Sequence, residues 1–286
     1  MVPGLGKLIR LGRIVDPASG TAIVLPLDHP VESASLVELE QPREIVRCLA
    51  GSGINAFLMR RGLARHTVRD FAGQAGWIQR MTGRSGLSTA GDAHRDAHQL
   101  VIASVEDAAR NGADAVAPTF FFGRDTEDYA YPELGRIADE CSRYDIPLLA
   151  ELFPVGGPDA TPYDGPYTVE DMRLAVRIAS EEGADLIKTY YTGDPDSFAE
   201  VIRYSFVPVI IAGGPKTDDP MDVLRMARGA MDAGASGVAF GRKVWGSSDP
   251  AAVVRALIQV VREQAAVEDA AEALIAQDGR IAATPR

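Results

Sequence analysis

At 286 residues, 46% hydrophobic and 24% charged, the chain has the composition of an ordinary soluble globular protein, with room for one large domain or two small ones. No apolar run reaches the length of a membrane span and no signal-peptide core opens the sequence, so a membrane partner is not expected and the cytoplasm is the expected compartment. A formal net charge of -11 argues against general nucleic-acid binding, and the only two cysteines, Cys48 and Cys141, fall in predicted helices without metal-type spacing and read as reduced packing residues.

Taken in order, the chain opens with Gly4-Leu5-Gly6-Lys7-Leu8-Ile9-Arg10-Leu11, a short amphipathic lead suited to covering the bottom of a barrel or meeting another subunit. Residues 21–27 form the first convincing strand, which ends in Asp28-His29-Pro30. A helix over 42–50, closed by Gly51 and Gly53, leads to a strand over 55–59. Between Arg60 and His98 only a strand near 77–81 stands out, before a Gly/Ser/Thr-rich loop through Gly91. Ser104 caps a helix that runs to Gly112, and a strand over 113–117 follows. A helix over 127–144 then gives a strand over 147–153, and the Pro/Gly-rich 154–166 reads as a long loop where a lid would belong. Thr168-Val169-Glu170-Asp171 caps the helix that reaches Gly183. Beyond the strand at 186–188 come a helix over 195–204, a strand over 207–212, a helix over 220–231, a strand over 236–240 and a helix over 250–263.

A weak internal repeat supports this order. Gly53-Ile54-Asn55-Ala56-Phe57, Gly112-Ala113-Asp114-Ala115-Val116, Gly183-Ala184-Asp185-Leu186-Ile187 and Gly234-Ala235-Ser236-Gly237-Val238 each mark a helix ending and a buried strand beginning. The intervals leave room for two strand-helix units apiece, the count of a parallel eight-stranded (β/α)8 TIM barrel. An open doubly wound sheet is the alternative, but no Gly-x-Gly-x-x-Gly follows the first strand. Residues 1–265 are read as one barrel with its N-terminal lead, and 266–286 as a peripheral tail.

In a barrel the chemistry sits on the loops after the strands. Lys188 ends a short buried strand, and the chain has only four lysines, Lys7, Lys188, Lys216 and Lys243, among 29 basic residues. Burying an ammonium is costly, and a depressed pKa would leave a neutral amine able to attack a carbonyl; a lysine snorkelling from the strand end to water is the plainer reading. Ala212-Gly213-Gly214-Pro215-Lys216-Thr217 follows the seventh strand and Phe240-Gly241-Arg242-Lys243 the eighth. Glycines there let backbone N–H groups approach an anion, with Lys216 and Arg242 supplying charge, although Gly-Gly-Pro is also a common turn. Asp28-His29 closes the first strand and could orient substrate hydroxyls or simply cap a turn. Glu151 and Phe153 alternate on the fifth strand and share a face; Glu151 is a candidate acid or base, or the partner of one of the many arginines. His66, His94 and His98 lack metal-type partners and read as surface residues.

Leu25-Pro26-Leu27-Asp28-His29, the run from Gly183 through Lys188-Thr189-Tyr190-Tyr191-Thr192-Gly193-Asp194, Gly213-Gly214-Pro215-Lys216-Thr217 and Gly241-Arg242 together resemble the archaeal-type class I fructose-bisphosphate aldolase family, whose relatives include aminodideoxyheptulosonate synthases and autoinducer-2 thiolases. The likeness runs from about Gly6 to Ala265. It implies a barrel assembled into a homo-oligomer, a Schiff-base lysine at Lys188, an active-site aspartate at Asp28 and a phosphate grip at Gly213, Gly214, Lys216, Gly241 and Arg242. It also implies that no metal or other cofactor is needed.

Two departures stand out. The family's aldolases carry a tyrosine acid/base before a proline on the fifth strand, where this chain has Phe153 before Pro154, and a phenyl ring cannot shuttle a proton. Proton transfer is therefore assigned to Glu151, with Tyr190 or His29 as reserves. The family's Asp-His-Gly is Asp28-His29-Pro30 here, which stiffens the first loop. The resulting expectation is an aldehyde-lyase that joins or cleaves a phosphorylated ketone such as dihydroxyacetone phosphate and an aldehyde in biosynthesis. A transaldolase-like heptulosonate synthase, a thiolase acting on a phosphorylated dione and a non-catalytic sugar-phosphate-binding barrel are the alternatives.

Overall fold

Eight short segments dominated by Val, Ile, Leu, Phe and Ala are apolar on both faces, as suits strands covered by other strands' side chains inside and by helices outside. In the computed structural model, which describes residues 4–28, 36–85, 97–123, 126–155, 167–214 and 219–275, they form β1 (Ala22–Pro26), β2 (Ala56–Met59), β3 (Gly76–Arg80), β4 (Ala115–Ala117, continued as Thr119–Phe122), β5 (Leu149–Pro154), β6 (Leu186–Thr189), β7 (Val209–Ala212) and β8 (Gly237–Ala239). All pair in parallel, each with its neighbours in sequence, and β8 returns to β1.

The seam lies in β4. Pro118 has no N–H to give a ladder and splits the strand, so Ala115–Ala117 pairs with β3 and Thr119–Phe122 with β5. Backbone bonds from Val116 N to the Pro147 oxygen and from Glu151 N to the Pro118 oxygen, both 3.0 Å, carry the pairing across the break. The (β/α)8 barrel read from the repeat is the observed fold. At the start of β8 only glycine fits: Gly237 has φ +137°, and a Cβ there would lie 1.9 Å from the Ala22 carbonyl oxygen.

The outer helices begin where their caps predict. The side chains of Ser104, Thr168, Asp194, Asp219 and Asp249 each accept a first-turn N–H, and Pro195, Pro220 and Pro250 follow the last three. The lead is the helix Leu5–Ile14, whose Ile14 joins the apolar interior of the barrel while Lys7 pairs with Asp185 at 2.9 Å. It therefore covers the N-terminal end of the barrel.

Three expectations are corrected. The stretch after Arg60 holds a helix, Arg61–Phe71, that the reading left out, because it is rich in Arg, His and Asp and buries only Ala64, Thr67 and Phe71. Cys48 is exposed and so is no packing residue, whereas Cys141 is buried and its thiol is pushed up to about 12, chiefly by burial. Val267–Ile275, placed in the peripheral tail, is a helix with Val267, Ala270 and Ala271 in the main core against Pro250–Val261 and Pro220–Asp232. Among the described residues no helix is long and apolar enough to cross a membrane.

Candidate active site

Strand alternation sets the positions of the functional groups. Ile78, Leu149 and Leu186 belong to the apolar layer inside the barrel, so the residues two farther along, Arg80, Glu151 and Lys188, also point inward, nearer the C-terminal mouth. Pairing fixes their height: Glu151 is the register partner of Thr119 on β4 and of Lys188 on β6. Three neighbouring strands thus deliver a hydroxyl, a carboxylate and an amine to one level.

Their contacts form one connected polar network. Lys188 Nζ donates to Glu151 Oε1 at 2.9 Å, and Thr119 Oγ1 donates to Glu151 Oε2 at 2.5 Å. Arg80 Nη1 donates to Glu151 Oε2 at 3.0 Å and to Asp28 Oδ2 at 2.9 Å, while its Nε donates to the Thr82 carbonyl oxygen at 3.1 Å. Residue exposures are 1% for Glu151, 5% for Arg80 and Asp28, and 7% for Lys188. Two cations and two anions offset one another, which is how a desolvated set of charges is tolerated.

Lys188 is therefore not a lysine snorkelling to solvent. The structure places a carboxylate in contact with its amine. Glu151 pairs with an arginine, as its plainer reading allowed, and with Lys188 as well.

Beyond the charged network the mouth is aromatic. Phe153 packs on Tyr190, with ring centroids 4.4 Å apart, and on Phe121 at 5.7 Å; Tyr190 stacks on Tyr167 at 5.2 Å with planes 7° apart. The phenyl ring that replaces the expected tyrosine is thus part of a stack that shields the network of charges from water.

The glycine-bearing turns follow β7, which pairs with β6, and β8, one strand farther round the barrel. Gly213 leaves room for the Phe240 ring, which a Cβ would approach to 2.9 Å, and Gly214 has φ +67°. Gly241 and Arg242 follow β8, and Arg242 Nε is buried without a hydrogen-bond partner among the described residues. Burial also lowers the pKa of the adjacent Lys243. His29, His94 and Lys216 lie outside the described residues. His66 is exposed on Arg61–Phe71, and His98 is half-buried with its carbonyl oxygen accepting from Arg84 Nε. Among the described residues no three His, Cys, Asp or Glu side chains gather as a metal set.

Sequence reasoning missed Arg80 and Thr119. Strand alternation carried through β3 and β4 would have pointed both inward, but only barrel closure brings β3 within reach of β5. Beside Asp28 and Arg80 opens a cleft of about 480 Å³, lined also by Arg60, Gln79, Leu63 and Ile102. Gln79 Oε1, fully buried, has no hydrogen-bond partner in this wall.

Residues 22–247 match the model of the DeoC/LacD family aldolases. The chain is 33% identical over 278 residues to an uncharacterized aldolase of Saccharolobus solfataricus, covering 94% of this chain and 99% of the relative. It is 30% identical over 255 residues to the 2-amino-4,5-dihydroxy-6-oxo-7-(phosphonooxy)heptanoate synthase of Streptomyces griseus, covering 89% of this chain and 90% of that one. A solved archaeal fructose-1,6-bisphosphate aldolase, with its catalytic lysine covalently bound to the carbinolamine intermediate of the substrate, superposes with a TM-score of 0.77 at 31% identity, covering 90% of this chain and 99% of the other.

Proposed function

This chain belongs to the DeoC/LacD family of aldolases, and from that premise we propose that it joins or cleaves a phosphorylated ketone donor, such as dihydroxyacetone phosphate, and an aldehyde through a Schiff base on Lys188. The observation that carries the reading is the buried Lys188 Nζ held 2.9 Å from Glu151 Oε1 at the mouth of the barrel. An amine and a carboxylate in contact can pass one proton back and forth, which is what iminium chemistry requires at each step.

Lys188 gives its proton to Glu151 and attacks the ketone carbon. Glu151 returns the proton to the ketone oxygen of the adduct and then carries a second from the adduct nitrogen to the same oxygen, which leaves as water as the iminium forms. Glu151 Oε1 then takes the proton from the adjacent carbon; the C–H pair becomes the C=C bond of the enamine and the C=N pair moves to nitrogen. The enamine carbon attacks the aldehyde, the new alkoxide is protonated, and water releases the product from Lys188. Asp28, anchored by Arg80, orients the hydroxyls of the carbinolamine, with Tyr190 and His29 as reserve proton carriers. Gly213, Gly214, Lys216, Gly241 and Arg242 would grip the donor phosphate, a binding contribution remote from the reacting carbon. The unpartnered Nε of Arg242 supports that grip. The aldehyde then enters from the opposite side, toward the cleft at Asp28, Gln79 and Arg80.

A second reading, a transaldolase-like heptulosonate synthase, is favoured by the likeness to the Streptomyces griseus enzyme. Both readings put the reaction in biosynthesis and need the same nucleophile, so one experiment serves both. Borohydride reduction in the presence of dihydroxyacetone phosphate, followed by intact mass, should give a stable adduct on the unmodified protein and none on Lys188→Met. An adduct that persists in Lys188→Met would move the nucleophile elsewhere, and no adduct with any phosphorylated ketone would leave a barrel that only binds sugar phosphates.

A further inference from the structure

The two oxygens of Glu151 keep unequal company. Oε2 accepts from Arg80 Nη1 and Thr119 Oγ1, whereas Oε1 accepts from Lys188 Nζ. We infer that Arg80 is a positioning residue, which pins Oε2 so that Oε1 alone exchanges protons with Lys188 and its adducts. The inference rests on the Schiff-base reading above.

The geometry gives Arg80 this role. The terminal torsion of a glutamate is broad, and an unrestrained carboxylate would present either oxygen to the amine. Two donors on Oε2 remove that freedom. Arg80 is itself fixed, by Asp28 Oδ2 on β1 and the Thr82 carbonyl oxygen, so it does not swing toward Lys188 when Glu151 changes charge. Its guanidinium does not deprotonate in proteins and cannot join the proton exchange; its charge is constant through the cycle.

The anchoring matters most when the enamine forms: the carbon-bound proton has then moved to Oε1, and a carboxyl still held through Oε2 keeps that proton facing the product side. Among the described residues, the charged groups facing Glu151 are Lys188 from β6 and Arg80 from β3, with Asp28 from β1 reached through Arg80, and β4 contributes the Thr119 hydroxyl. Of these two cations, Arg80 is the one that the reaction leaves untouched.

The test is solvent exchange of the donor's carbon-bound proton, followed with dihydroxyacetone phosphate alone. In Arg80→Met the maximal rate should fall by on the order of tenfold or more while the donor KM stays within about twofold. Arg80→Lys keeps the charge and loses the fork, so exchange should slow there too, by on the order of tenfold.

Glu151→Gln should slow exchange by on the order of a hundredfold or more, and adding Arg80→Met to it should change the rate by less than about twofold. An unchanged maximal rate in Arg80→Met, full exchange in Arg80→Lys, or an Arg80→Met effect of equal size in the Glu151→Gln background would each overturn the proposal. Borohydride adducts should persist in both Arg80 variants. Their absence from the unmodified protein would instead sink the Schiff-base reading, and the role of Arg80 with it.

Discussion

Near the N-terminal end, the interior of the barrel is filled by Val24, Leu58, Ile78, Leu186 and Ile210, whereas farther along the same strands it holds Asp28, Arg80, Glu151 and Lys188. The floor is stabilised without direction, by apolar area withdrawn from water and by close packing. The mouth is held by a few bonds of defined geometry among groups that would be unfavourable there singly. Both regions are buried, so burial does not separate the floor from the mouth; what separates them is that the inward side chains of the mouth carry charge with a partner in contact.

Substitutions should expose the contrast. The largest loss of stability is expected at the mouth: Arg80→Met leaves Asp28 and Glu151 buried without their shared cation and should lower the unfolding free energy by about 3–5 kcal/mol, read from urea unfolding. On the floor, Leu58→Ala should cost about 3 kcal/mol through lost transfer energy and a cavity, yet Lys188 should still be trapped by borohydride. At the outer edge of the floor, Lys7→Met removes the partner of Asp185, which keeps the Leu148 N–H at 2.8 Å, so the loss should be about 1 kcal/mol with no change in proton exchange. If Leu58→Ala abolished trapping while Arg80→Met unfolded like the unmodified protein, the division of labour between the two ends would be reversed.

Much of this was legible before the structure. The Gly-led strand starts gave the number of units, and Ser104 and Thr168 gave helix starts, because caps and turns are decided by neighbours in sequence. Lys188 was identifiable from its place at a strand end and Glu151 from its alternation with Phe153. Arg80 was not, since its role depends on contacts with residues 52 and 71 positions away, and the local sequence shows only one arginine among many at the end of a strand. The continuation of β4 past Pro118 was hidden for a related reason: a proline usually ends a strand, and here the barrel uses the break as its closing seam.

The shared register of Thr119, Glu151 and Lys188 has a consequence for how such a protein can change. Adding or deleting one residue within β5 would turn Ala150 or Leu152 toward the axis and send the carboxylate out among the helices. Lineages descended from this scaffold can therefore alter staves only by substitution at constant length. Insertions, and the new substrates they admit, are confined to the connections beyond the strand tips.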